Sequence, residues 1–123
     1  MVRSHVAGHI YLLHFVVPYV AVQQPGKKLQ TAGHYLGWSE DLMGRLLAHK
    51  NGQGARLTQV IKEAGIEWQL AQVWPGDRFL ERKLKKRGGR SRFCPLCLGI
   101  GTPLAWEAFE STAALLNELS VGA

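Results

Sequence analysis

The run "HIYLLHFVV" at residues 9–17 constrains the fold more than any other part of this chain. Its apolar, aromatic and branched residues do not alternate with polar ones, so it reads as a buried strand, apolar on both faces. With 123 residues the chain has room for one modest core, and so for one domain. The wider stretch "HIYLLHFVVPYVAV" does not read as a secretory leader, because His9, His14 and Pro18 interrupt it and no small-residue cleavage pattern follows. It is also too short and too broken to span a bilayer. A cytoplasmic protein with no membrane association is expected.

The turn signals that follow divide the rest of the chain. "QQPGKK" at 23–28 predicts a loop tip, with the connection lasting to about residue 32. "HYLGW" at 34–38 predicts a short second strand, the hairpin partner of the first. Ser39 is the expected N-cap of a helix running to about Lys50, with Asn51-Gly52 ending it. A second helix is expected over 56–64, stopped by Gly65, and then a strand over 66–74, where Ile66, Trp68 and Leu70 alternate with Glu67 and Gln69. Pro75-Gly76 is expected to turn the chain into a basic helix over 77–87 with Phe79, Leu80 and Leu84 as its apolar stripe. After "GGRSR", Thr102-Pro103 predicts the start of a last helix whose apolar face runs from Leu104 to Leu119. The expected class is therefore α+β: a small three-stranded, mainly antiparallel sheet flanked by helices, with an extra C-terminal helix.

Charge narrows the partners. A net charge of +6 and a pI near 9.7 suit a polyanion such as nucleic acid, or simply a basic surface that keeps the chain soluble. Residues 78–92 hold eight of the Arg and Lys side chains, with Glu81 as their one glutamate. Such a carboxylate is either a local counter-ion or a hard oxygen ligand for Mg²⁺. The two cysteines, Cys94 and Cys97 in "CPLC", read as reduced, semi-buried thiols at a turn. One alternative is a redox pair, although nothing else in the chain resembles a thioredoxin-like unit. The other is half of a zinc site, which His14, His34 or His49 would have to complete in space, since no second Cys-x-x-Cys or His-x-x-x-His occurs.

On the first helix, a 100° step places Leu42, Met43, Leu46 and Leu47 on one arc, with Arg45 and His49 together beside it. There an arginine can fork onto a phosphate and a histidine can move a proton, although both residue types also occur as ordinary helix-surface charges. Tyr11 and Tyr35 lie on the two strands of the expected hairpin, where both hydroxyls can share a face.

Taken in order, "GHIYLL", "HYLG", "DLMGRLLAHKNGQGARLT" and "LERKLKK" resemble the GIY-YIG nuclease superfamily, as a small single-domain member. The matching positions are Ile10-Tyr11, Tyr35-Leu36-Gly37, Arg45, His49, Gly52-x-Gly54 with Thr58, and Glu81, so the likeness covers residues 8 to 87. Leu36 stands for the family's usual isoleucine, Trp38 follows the glycine where some members carry lysine, and the asparagine often found after the glutamate is missing until Asn117.

The resemblance implies a divalent-metal-dependent endonuclease acting on DNA. Glu81 would hold one Mg²⁺ or Mn²⁺, Arg45 would stabilise the phosphate, and Tyr11 or Tyr35 would relay the proton of the attacking water, with His49 accepting a hydrogen bond from the tyrosine. Gly37 would let the backbone approach the scissile phosphate. Lys50, Arg56, Arg78, Arg82, Lys85, Lys86, Arg90 and Arg92 would follow the nucleic-acid backbone. This divides the chain into a nuclease-like domain at 1–92 and an extension at 93–123, a CPLC turn plus an amphipathic helix. The extension would pack on the domain or meet a protein partner or a second copy. Two other readings stay open: a domain that binds nucleic acid without cutting it, and a small zinc-stabilised interaction protein.

Overall fold

The computed structural model of the chain describes residues 8–20, 26 and 31–121. Among these described residues the fold is α+β: a three-stranded antiparallel sheet with five helices, one of them C-terminal. Strand β1 (Gly8–Val20) lies in the middle, paired with β2 (Thr31–Ser39) on one side and β3 (Trp68–Gly76) on the other. The placement follows from composition, because Ile10, Tyr11, Leu12 and Leu13 are each 0% exposed, which only a strand with neighbours and layers on all sides can achieve. Among the described residues no helix is long and apolar enough to cross a membrane.

Successive residues of β1 feed two separate cores. Tyr11, Leu13 and Phe15 join Leu42, Leu46, Ile61, Leu70, Trp106 and Leu115 on one face. Ile10 and Leu12 join Leu36, Ala71 and Cys94 on the other, with Leu84, Phe93 and Leu96 packed against them. Helix α1 (Leu42–Lys50) and helix α2 (Arg56–Glu63) cover the first face. The second takes Leu84 from helix α3 (Arg78–Arg87), Phe93 from a 3-10 turn (Arg90–Phe93) and Leu96 from helix α4 (Pro95–Leu98).

The helix ends are set by specific groups. Asp41, not Ser39, caps α1: its carboxylate accepts from the Gly44 N–H at 3.1 Å, while the Ser39 hydroxyl bonds the Asp41 backbone. At the far end the N–H of Gly52 reaches the His49 carbonyl and that of Gln53 the Ala48 carbonyl, a Schellman closure that uses the positive φ of Gly52, +75°. Gly65 and Ile66 close α2 in the same way, on the carbonyls of Lys62 and Ile61. That closure holds Ile66 out of the sheet and delays β3 to Trp68, two residues later than expected. Pro75 and Gly76 do not turn the chain. They end β3, opposite His9 and Gly8.

The largest departure lies in the tail. Thr102 and Pro103 start no helix, because the Leu104 N–H donates to the Leu70 carbonyl at 2.9 Å and ties this irregular segment to the sheet. Trp106 then buries itself in a 3-10 turn, stacked on Trp68 with ring centroids 5.7 Å apart. Helix α5 begins only at Thr112 and runs to Val121, and it packs inward through Leu115, 1% exposed. Leu47, expected on the apolar arc of α1, is instead 52% exposed, and His49 takes a buried place beside Leu42 and Leu46. In the loop expected at 23–28, Gly26 is a turn residue with φ +78°; the rest of "QQPGKK" lies outside the described residues.

Trp106 is 7% exposed and is one of the apolar anchors between the extension and the sheet. Trp106→Ala should therefore cost about 3–5 kcal/mol in urea unfolding. A loss below about 1 kcal/mol would mean that the extension is not part of the cooperative core.

Candidate active site

Tyr11 is opposite Gly37 in the β1–β2 ladder, and Tyr35 is opposite Leu13 two residues further along the same face. The two rings therefore sit diagonally, 6.2 Å between centroids. A Cβ on Gly37 would come within 2.5 Å of the Tyr11 hydroxyl oxygen and 2.8 Å of the Tyr35 ring. The first physical reason for this glycine is thus to make room for two tyrosines, whatever else approaches the backbone there. Helix α1 then brings His49 over the pair, its ring centroid 5.5 Å from Tyr11 and 5.2 Å from Tyr35.

A directed chain of hydrogen bonds fixes the protonation of this histidine. The Thr58 hydroxyl donates to the Ala55 carbonyl at 2.9 Å, so its oxygen accepts from His49 Nδ1–H at 2.8 Å. That leaves Nε2 unprotonated, and it accepts from the Tyr11 O–H at 2.6 Å. His49 and Thr58 are both 0% exposed, so a complete set of partners is what keeps their burial affordable. The glycine-rich loop makes the packing possible: a Cβ on Gly54 would lie 2.2 Å from His49 Nδ1. Thr58 and Gly54 belong to the family-like pattern, yet their part in holding His49 is visible only with α1 and α2 packed together.

Charge surrounds this core of rings. Burial, and then the neighbouring Arg45 guanidinium, push the His49 pKa down to about 4, so the ring is neutral at pH 7. Burial and the adjacent Tyr35 raise the Tyr11 pKa, the hydrogen-bonded Arg45 works against them, and the Glu81 carboxylate adds to the rise. Burial alone would lower the Arg45 pKa, but its hydrogen bonds to the Tyr11 and Tyr35 hydroxyls carry it above the usual value. Glu81 enters from the first turn of α3, its side chain 15% exposed, with Lys85 Nζ one turn later at 3.7 Å. Lys85 also stands over the Tyr35 ring, 5.9 Å from its centroid.

The structure thus brings Tyr11, Tyr35, Gly37, Arg45, His49 and Glu81 to one place. A groove of about 570 Å³ opens beside them, lined by Tyr35, Leu36, Leu57, Lys85, Arg90 and Ser91. Arg82, Lys86 and Arg92 are exposed on α3 and the turn after it, Arg56 is exposed at the start of α2, and Arg78 stacks on Trp38 at 5.0 Å. Lys50 lies apart: it is ion-paired with Glu107 and faces Trp106, away from the tyrosines.

The cysteines form a second cluster on the opposite sheet face. Cys94 is buried and Cys97 exposed, both as free thiols. His14 and His34, cross-strand partners in the hairpin, meet them there. His49, the third histidine considered for this group, is committed to Tyr11 and Thr58 instead. Compared with protein-family models, with curated proteins and with solved structures, the chain matches none.

Two outcomes follow from the tyrosine–histidine packing. Gly37→Ala should displace Tyr11 and cost about 1–3 kcal/mol of stability. His49 has a folded pKa of about 4 against 6.5 when solvated, so the unfolded chain binds its proton first as pH falls. Its contribution is fully present above pH 6.5 and is lost as the pH drops towards 4. Glutamine can accept from Tyr11 and donate to Thr58 without titrating. In denaturant titrations across this window the unfolding free energy of His49→Gln should fall less steeply than that of the wild type, by up to about 1.4 kcal/mol per pH unit. Equal slopes would contradict a neutral buried His49.

Proposed function

We propose that this chain is a divalent-metal-dependent endonuclease of the GIY-YIG type, hydrolysing DNA phosphodiester bonds. The observation that carries the reading is the Tyr11–His49–Thr58 hydrogen-bond chain with Arg45 and Glu81 gathered round its tyrosine end. A tyrosine serving only the core needs one partner for its hydroxyl. Tyr11 has a neutral imidazole as acceptor and a guanidinium beside its oxygen, an arrangement suited to moving a proton.

Glu81 fits a divalent cation. It is a hard oxygen donor, largely shielded, and its Lys85 partner stands at 3.7 Å, beyond hydrogen-bond length. A cation bound there would neutralise the leaving oxygen of the phosphodiester. The chain's own groups supply the rest. The Tyr11 oxygen takes the proton of the attacking water as its own proton passes to His49 Nε2, which the Thr58 bond keeps free to accept it. Arg45, charged and held between the tyrosines, faces the non-bridging phosphate oxygens as negative charge builds on them. Of the two tyrosines Tyr11 is the relay, because it has the acceptor at 2.6 Å. Lys85, over Tyr35, stands in for the lysine that Trp38 replaces in the strand. The exposed basic side chains of α3 track the backbone with little regard to sequence. A cytoplasmic location, where thiols stay reduced, suits both DNA and the free cysteines.

Nicking of supercoiled plasmid in Mg²⁺ or Mn²⁺ tests the reading. Glu81→Ala, Arg45→Ala and Tyr11→Phe should each slow nicking about 100-fold or more. Glu81→Ala and Arg45→Ala should keep near-normal melting temperatures. DNA binding by the wild type without nicking in either metal would sink the enzyme and favour a binding domain.

A further inference from the structure

We propose that His14, His34, Cys94 and Cys97 form a closed structural zinc site that locks the C-terminal extension onto the β-hairpin. The four side chains come from three places. His14 on β1 and His34 on β2 are direct cross-strand partners on the sheet face that also carries Leu12 and Leu36. Cys94 is the N-cap of α4 and Cys97 lies within that helix, so the three-residue spacing sets both sulfurs on the side facing the sheet. One donor atom from each residue falls within 4.8 Å of all the others.

The distances argue for a shared ion. His14 Nδ1 lies 3.2 Å from His34 Nε2 and 3.5 Å from the sulfurs of both Cys94 and Cys97. His34 Nε2 lies 3.3 Å from the Cys97 sulfur. A ring nitrogen has a single proton or a single lone pair, so three such neighbours cannot all be hydrogen-bond partners of one atom. Tetrahedral Zn²⁺, with bonds of about 2.0–2.1 Å to nitrogen and 2.3 Å to sulfur, needs edges of about 3.4 Å between nitrogens and about 3.6 Å between nitrogen and sulfur. The observed separations are those edges to within a few tenths of an ångström.

The donor chemistry selects the ion. Two thiolates and two imidazoles in tetrahedral array suit zinc and not Mg²⁺, which takes hard oxygen ligands. Four protein donors leave no open position for water, so the site is structural rather than catalytic. Its mechanical effect is local. The knuckle between the cysteines is closed by the Leu98 N–H on the Cys94 carbonyl at 3.0 Å and turned by Gly99 at φ +70°. Fixing that knuckle to β2 also fixes the preceding turn, whose Arg90 and Ser91 line the groove beside Tyr35 and Lys85.

This inference does not rest on the nuclease reading, and its test uses no activity. Tag-free protein purified under reducing conditions without chelator should carry about one zinc per chain by elemental analysis. Metal-free wild type titrated with Co²⁺ should develop the visible bands of a tetrahedral thiolate site, displaced by Zn²⁺ and unaffected by excess Mg²⁺. Cys97→Ala, at an exposed position, and His34→Ala should lose this metal, whereas Glu81→Ala should keep it. Wild type that holds no zinc and gives no tetrahedral cobalt spectrum would overturn the proposal. So would a variant lacking all four ligands that still retained the metal. Should the ligand variants fail to fold, the wild-type cobalt spectrum decides alone.

Discussion

Tyr11 and Leu12 are chain neighbours, yet each is 0% exposed and they belong to different cores. A strand sends successive side chains to opposite faces, so burying both requires a layer above β1, a layer below it and a partner strand on each side. Everything else in the fold answers that requirement. α1 and α2, helped by Trp106 and Leu115 from the tail, close the tyrosine side. Leu84, Phe93, Cys94 and Leu96 close the other. The extension supplies side chains to both layers, and so it belongs to the same packing unit as the sheet.

What could be read from residues alone was whatever depends on short range. The apolar run of β1, the Asn51-Gly52 and Gly65 stops, and the placing of Arg45 on α1 and Glu81 on α3 follow from local geometry. The errors arose where a distant partner outweighed local preference. Thr102-Pro103 is a good helix start in isolation, but one backbone bond from Leu104 to the Leu70 carbonyl outweighs it. Leu47 and His49 exchanged expected roles because the space over the tyrosines suits a flat ring with two hydrogen-bonding edges better than a branched aliphatic chain. No periodicity of α1 contains that information. The cysteine pair had three candidate histidines, His14, His34 and His49, and the choice among them was hidden for a related reason: His14 and His34 are twenty residues apart, and only the hairpin register makes them neighbours.

Burial of the tyrosine–histidine pair works against ionising either group. The Tyr11 pKa is raised and the His49 pKa lowered, which keeps both neutral and the hydrogen bond between them short. Among the described residues Arg45 acts the other way on Tyr11, while Glu81 opposes it. Burial and Tyr35 weigh most at the tyrosine oxygen and Glu81 least, so neutralising Glu81 would relieve only the smallest of the opposing effects. In the protein alone Lys85 does so weakly, from 3.7 Å. Under the proposed function a divalent cation on Glu81 would do so fully and add its own positive charge near the tyrosine oxygen, which favours deprotonation of Tyr11.

Both sites depend on one register. His34 and Tyr35 are consecutive on β2 and point to opposite faces, the first towards Cys97 and the second towards His49. A slip of β2 by one residue would turn the histidine towards the tyrosine layer and the tyrosine towards the cysteines, and would move Gly37 from its place opposite Tyr11. The crowding at Gly37 opposes such a slip from one face, since only a residue without Cβ fits against the Tyr11 hydroxyl. A metal bridging His14 to His34 would oppose it from the other. On that reading the zinc cluster and the candidate active site are not independent features that share a sheet: each holds the hairpin in the alignment the other requires.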